Sequence, residues 1–426
     1  MESRLNAALI KVVKEKKLAG VAAIALDKSG TPLYKGAFGT VDLSNPNAAP
    51  FSTDTPLIIW SCTKLIVSVA ALQLIEQGRL KLDDPVDKYV PQWKDIKVIA
   101  GWNEDGTPQL REPKTTATVL NLLTHTGGFT YDFMNANQLK YKMHKQYTPG
   151  AYSTGSPEQY YDSPLEFDPG TKHEYGINVD WLGFVIESVT GQKLPQYVKE
   201  NILDPLGMKD TAPRPEQSAK GTDTCLMVHR RSPADGSLTA DPNVAFPPDP
   251  PIHGGGHYLY STLDDYAEKF LLALLNYGTH PKTGVQILKK DTAEEYLFKE
   301  KIESAVGCSA VGSGVFTSTL APATNDGELL PGLKKSWSCG LLVNLEDSPI
   351  GRSAGSGAWC GFGNLYYWID PKKGYTGMIA TETLPFLDPV VLKLFDELER
   401  ATYGYPPAKE GERMNYVIKT PAPPAQ

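Results

Sequence analysis

The chain is poor in the features that tie proteins to metals, membranes or nucleic acids. Its 426 residues hold five cysteines, at 62, 225, 308, 339 and 360. The number is odd, the spacing is scattered and no C-x-x-C pair occurs. A disulfide framework and a structural zinc site are therefore not expected, and a reducing, cytoplasmic compartment is. Seven histidines show no paired ligand spacing, so the reading includes no metal and no cofactor. No run of about 18 apolar residues is present, which argues against a transmembrane helix. Residues 1–17 read as an amphipathic helix rather than the apolar core of a signal peptide. Lys/Arg blocks are missing too, and the net charge is −7 with a pI near 5.6. That balance disfavours nucleic acid and anionic membrane as partners.

What is present suits a large enzyme. Apolar residues make up 41% and aromatics 10% of the chain, enough for a sizeable core. A first helix is expected over 3–17, then a hairpin of 21–26 and 33–39 turning at Ser29-Gly30. A helix over 61–77 carries Leu65, Val69, Leu72 and Ile75 on one stripe and stops at Gly78. Further helices are expected at 116–123, 179–190, 263–276 and 389–403, and strands at 338–345, 364–370 and 375–382. Residues 211–251 read as a Pro-rich loop and the tail from Pro406 as frayed. Strands at both ends around a helical middle predict an α/β (α+β) domain built from 1–60 and 252–426. A mostly helical domain, 61–251, is inserted into it, with the cleft between them.

The stretch Ile59-Trp60-Ser61-Cys62-Thr63-Lys64-Leu65 carries the chemistry. Ser61 and Lys64 stand three apart, so on a helix they share a face. A serine hydroxyl needs an adjacent base to act as nucleophile. A lysine can be that base when burial disfavours its ammonium form, and the apolar residues on either side predict such burial. Tyr175 lies directly before the 179–190 helix. A tyrosine near the lysine could be held partly as phenolate and relay a proton from Ser61 to the leaving group. Cys62, beside the nucleophile, suggests sensitivity to thiol reagents.

Taken together, Ser61-Cys62-Thr63-Lys64, Leu82-Asp83-Asp84-Pro85-Val86, Leu122-Leu123-Thr124-His125-Thr126-Gly127-Gly128 and Tyr175-Gly176-Ile177-Asn178 resemble the serine β-lactamase/penicillin-binding-protein superfamily. The resemblance is to its class-C-like esterase branch, and within it to fungal acyltransferases and esterases acting on statin-type polyketides such as lovastatin. It implies a β-lactamase/transpeptidase-like fold, an antiparallel sheet flanked by helices with a mostly helical insertion. It also implies catalysis by Ser61, Lys64 and Tyr175 through an acyl-enzyme, with an oxyanion hole made by the backbone N–H groups of Ser61 and Phe362. Such donors contribute about 2.7–4 kcal/mol each.

Two departures from the family pattern bear on substrate. Y-x-N is here one residue longer, so Asn178 could serve as a helix N-cap instead. The K-T-G lysine is replaced by Trp359, in Ser356-Gly357-Ala358-Trp359-Cys360-Gly361-Phe362-Gly363-Asn364. Loss of that cation disfavours β-lactams and D-Ala-D-Ala peptides and suits neutral, hydrophobic esters. Trp359, Tyr131, Phe362 and Tyr366 are the expected substrate-binding side chains, with Tyr367 and the aromatic stretch 131–161 beside them.

Two motifs compete. Gly351-Arg352-Ser353-Ala354-Gly355 fits G-x-S-x-G, but it leads into a strand instead of opening a helix. His253-Gly254-Gly255-Gly256 looks like a lipase oxyanion loop, yet its glycines are better read as allowing close backbone approach beneath the site. His125 reads as a structural hydrogen-bonder and His173 as a surface or supporting residue. The expected activity is hydrolysis of a short branched acyl ester of a bulky hydrophobic alcohol. Transfer of the acyl group to a polyketide alcohol is the alternative, and a peptidase, a β-lactamase or a non-catalytic sensor comes behind it.

Overall fold

The structure is a computed structural model that describes residues 1–150, 154–218, 220–221, 225–247, 249–321, 323–409, 411–412 and 414–418. Its frame is a seven-stranded sheet that joins the two ends of the chain. Strands β1 (Gly20–Asp27) and β2 (Pro32–Gly39) form the expected hairpin. They continue a meander of β3 (Lys335–Trp337), β4 (Leu342–Asn344), β5 (Gly357–Gly361), β6 (Leu365–Asp370) and β7 (Tyr375–Ala380). The order is β3-β4-β5-β6-β7-β1-β2, and every pairing is antiparallel. β1, β5 and β6 are buried almost throughout, because helices cover both faces of the sheet.

One face carries α1 (Glu2–Lys14) and α5 (Pro389–Thr402), which touch each other. Asp388 caps α5, its carboxylate accepting from the amides of Val390 and Val391, and Pro389 sits in the first turn, where its missing N–H costs nothing. On the other face lies α4, the helical run 263–275, whose middle, Tyr266–Leu271, winds as a π-helix.

The helix after Ser61 differs from its expected form. A short 3₁₀ turn, Trp60–Cys62, leads into α2 (Thr63–Glu76), and α2 has no solvent face. Every residue from Thr63 to Leu74 is buried, so it is a core helix rather than an amphipathic one. It packs on α3 (Asn178–Thr190). Gly191 ends α3 in the left-handed conformation at φ 72°, where a side chain would be strained.

Two stretches read as irregular are ordered. Within 211–251, His229–Arg231 and Leu238–Ala240 are strands, and the first pairs in parallel with Thr383–Leu384. In the tail, Tyr416–Ile418 pairs with Gly327–Leu329; residues 419–426 lie outside the described residues. Neither strand has the run of alternating apolar residues that signals one locally; each is held by a partner far away in sequence. Tyr416 is buried and donates to Glu399, and Arg352 bridges to Glu399 at 2.7 and 2.9 Å. Both members of that ion pair are about fully enclosed. Arg352→Ala would leave the Glu399 carboxylate buried without its cation, a change that costs about 3–5 kcal/mol. A clear drop in the urea midpoint is expected; an unchanged midpoint would show that the pair contributes little to stability.

Candidate active site

The 3₁₀ turn bearing Ser61 is wedged against β5 and is held by the residue before the serine. Trp60 adopts φ 47°, a left-handed conformation that bulky residues rarely take unless their surroundings enforce it. Here the enforcement is visible. The Trp60 indole donates to Glu382 Oε2 at 2.9 Å, and its ring meets Phe246 and Phe362. Glu382 is buried, which pushes its carboxyl well above the ordinary range.

Lys64 follows one helical turn later and is 2% exposed. Its Nζ lies 3.1 Å from Ser61 Oγ, 2.9 Å from the Tyr131 hydroxyl and 2.9 Å from the Gly256 carbonyl. An ammonium has three N–H donors and a free amine has two and a lone pair. With Tyr131 and Gly256 taking two N–H groups, the third position on the nitrogen, an N–H of the ammonium or the lone pair of the free amine, faces Ser61 Oγ. Burial lowers the Lys64 pKa from 10.5 to about 8, with Asp180 as the largest opposing influence. The free amine is therefore accessible at mildly alkaline pH.

Tyr175 completes the cluster. Its hydroxyl is hydrogen-bonded with Ser61 and accepts from Trp359 Nε1 at 3.0 Å, and Lys64 Nζ lies 4.9 Å from its ring centre. The expected phenolate is not what this setting favours. Burial pushes the Tyr175 hydroxyl well above its ordinary value, and the bonds from Ser61 and Trp359 offset only part of that. Tyr175 rests as a neutral phenol, suited to handing a proton on rather than to acting as the first base.

Ser61 opens on a cavity of about 270 Å³ walled by Trp60, Tyr131, Phe133, Phe362, Leu320 and Leu384, with Arg230 and His257 as its basic side chains. Tyr131 stacks on Phe133, and Phe133 meets Phe362. Ser61 lies in the first turn of a helix, where amides lack intrahelical acceptors, and Phe362 follows the last residue of β5; both line this cavity.

Other expected pocket residues stand elsewhere. Tyr366 is fully buried, donates to Asn364 Oδ1 at 2.7 Å and stacks on Phe386 and Phe395. It belongs to the core beneath α5 and not to the cavity, because two neighbours on one strand cannot both face the same side and Tyr367 turns towards Tyr266. Trp359 is 3% exposed and bounds a second cavity with Tyr175, His173 and Phe316. In the 131–161 stretch, Tyr141 and Tyr147 donate to Asp162, and Tyr152 lies outside the described residues. Cys62 is fully buried, and burial raises its thiol far above the ordinary value, so it is shielded from the thiol reagents expected to reach it.

The competing motifs resolve in the same way. Ser353 is buried with its hydroxyl on Asp370 and has no access to the cavity. Asn178 is the first residue of α3 and not its cap; its amide donates to the Phe129 carbonyl and meets His125 Nδ1. The 254–256 glycines do run close to the site, with Gly255 pressed against the Val179 carbonyl. Arg230 and His257 were missed. Arg230 comes from a strand with no local signature, and His257 follows the glycine run with no motif or ligand spacing of its own.

A family model described as Beta-lactamase matches residues 5–395. The chain belongs to the β-lactamase family. It is 32% identical over 410 residues to the monacolin J acid methylbutanoyltransferase of Aspergillus terreus, covering 94% of this chain and 95% of that one. It is 28% identical to the lovastatin esterase of Penicillium rubens over 86% of this chain and 90% of that one. A mutant simvastatin synthase from Aspergillus terreus superimposes with a TM-score of 0.78 at 28% identity, covering 94% of each chain. Within this β-lactamase fold, the Trp359 indole of β5 places its N–H on the Tyr175 hydroxyl.

Any reaction that consumes the free amine of Lys64 is governed by its titration. The base form grows tenfold per pH unit below its pKa, so reactivity rises with pH and levels off above about 8. The rate of Ser61 phosphonylation by a fluorophosphonate, followed from pH 5 to 10, reads this directly. A rate independent of pH would show that Lys64 is not the base.

Proposed function

We propose that this protein is a metal-independent serine carboxylesterase acting on a short, branched acyl ester of a bulky hydrophobic alcohol. The observation that carries the reading is the Lys64 Nζ–Ser61 Oγ contact at 3.1 Å, opening on an apolar, aromatic cavity. Ser61 Oγ attacks the ester carbonyl while Lys64 takes its proton. The N–H groups of Ser61 and Phe362 receive the oxyanion, and Tyr175 gives its proton to the departing alcohol oxygen while the Lys64 ammonium replaces it. Water then attacks the acyl carbon and loses a proton to the Lys64 amine, the Ser61 ester bond breaks to release the free acid, and that proton returns to the Ser61 oxygen. The relatives are named for monacolin J acid and for lovastatin, which makes a statin-type polyketide ester the leading substrate class. All five cysteines are free, in keeping with a cytoplasmic setting.

A second reading, acyl transfer to a carboxylated polyketide alcohol, is favoured by Arg230. This cation lines the Ser61 cavity and pairs with Asp241, and it can supply the charge that Trp359 removed. The relative's acceptor is named as an acid.

Product analysis with the p-nitrophenyl ester of 2-methylbutyrate, with and without a statin-type alcohol acid, decides between the readings. Free acid in both tubes indicates an esterase, and acylated acceptor an acyltransferase. Ser61→Ala is expected to lose turnover by roughly 10⁴-fold or more while staying folded; retained turnover would overturn the site. Arg230→Gln is expected to raise the KM for a carboxylated acceptor or ester about tenfold and leave that of a neutral ester within twofold. Equal effects on both would remove Arg230 from substrate recognition.

A further inference from the structure

Asp180 is not needed for the steps above, yet it lies against them. It is fully buried in the first turn of α3, where the helix N-terminus favours a carboxylate. Oδ1 accepts from the Gly256 amide at 3.2 Å and faces His257 Nδ1 at 3.4 Å. Oδ2 is buried and, among the described residues, has no hydrogen-bond partner. A methyl group placed on Gly256 would lie 2.6 Å from Asp180 Oδ2 and 2.8 Å from Lys64 Nζ. The carboxylate and the amine therefore face each other across a gap that only glycine leaves open. The Gly256 carbonyl accepts from Lys64 while its amide is held by Asp180.

We propose that Asp180 is a positioning residue for the Ser61–Lys64 pair: it fixes the Gly256 peptide that aims the Lys64 amine, and its carboxylate is the counter-charge for the ammonium formed when Lys64 takes the Ser61 proton. This rests on the reading of Ser61 as nucleophile and Lys64 as base. Burial alone would strip Lys64 of its proton affinity, and a lysine too weakly basic makes a poor acceptor. A carboxylate across a gap of this size restores part of it.

The other groups around Lys64 are of a different kind. Cys62 precedes it, Cys360 comes from β5, and Tyr131, Tyr175 and His125 come from the loops ahead of α3. Burial holds both thiols and the Tyr175 hydroxyl protonated and His125 neutral. His257 faces Asp180 Oδ1 and lines the Ser61 cavity together with Tyr131.

The test is the pH dependence of Ser61 phosphonylation in Asp180→Asn, alone and in a His257→Gln background. The asparagine keeps the shape and an oxygen for the Gly256 amide but removes the charge. The limb is expected to move to lower pH by about one unit or more, with a lower plateau rate, in both backgrounds. A lower plateau with an unmoved limb would reduce Asp180 to a structural role and overturn the proposal. A shift that vanishes in the His257→Gln background would assign the effect to His257 and overturn it equally. Should Asp180→Asn fail to fold, Asp180→Glu is the second variant. It retains the charge and is expected to keep the limb within half a unit of wild type, and a shift as large as one unit downward would count against the counter-charge. Ser61 that takes up no phosphonate in the wild type would instead refute the underlying reading of the site.

Discussion

The enclosure of a lysine amine within a helix that has no water-facing side is the constraint on which the rest of the site depends. Taking an ammonium out of water is costly, and a single side chain cannot avoid that cost by rotating outwards when every neighbour is buried. The chain answers with three oxygens around Nζ, from Ser61, Tyr131 and Gly256. These are too few and too weakly charged to restore an ordinary lysine, and a usable base is what remains. The apolar character of α2 thus sets the core and the chemistry together.

The same constraint explains why elements distant in sequence converge here. Tyr131 comes from the loop after a buried short helix, Gly256 from the glycine run before residues 263–275, and Tyr175 from the turn ahead of α3. Each brings one polar atom into an apolar surround, where its strength is greatest. β5 supplies the opposing wall, with Phe362 at its end and Trp359 within it. At this strand Trp359 offers the cleft no charge but a directed N–H held on Tyr175. A cation reaches the cavity from Arg230, on a strand of the middle segment.

How much of this was legible in the sequence depended on the range of the interaction. The hairpin, α3 and the last helix follow from local alternation, helical spacing and stop signals, and they stand within a residue or two of their expected bounds. Ser61 and Lys64 were visible because three residues on a helix fix their separation. The strands at 229–231 and 416–418 were not, because their order comes from partners far away in the chain. Trp359, at the K-T-G position, and Tyr366, on the strand that follows, are both expected pocket walls from the sequence. Which way a strand residue faces is decided by register with its neighbours, and one ring went to the core and the other to Tyr175.

By itself, then, the sequence determined the family, the order of helices and strands at the two ends, and the identity of a serine and a lysine one helical turn apart. The tertiary structure decided the ionic character of the site. Whether Lys64 is a base, whether Tyr175 is a phenol or a phenolate, and whether Cys62 can react all turn on how much water reaches each group and which charges face it. Those are properties of the packing of α2, α3 and β5 against one another, and no window of consecutive residues contains them.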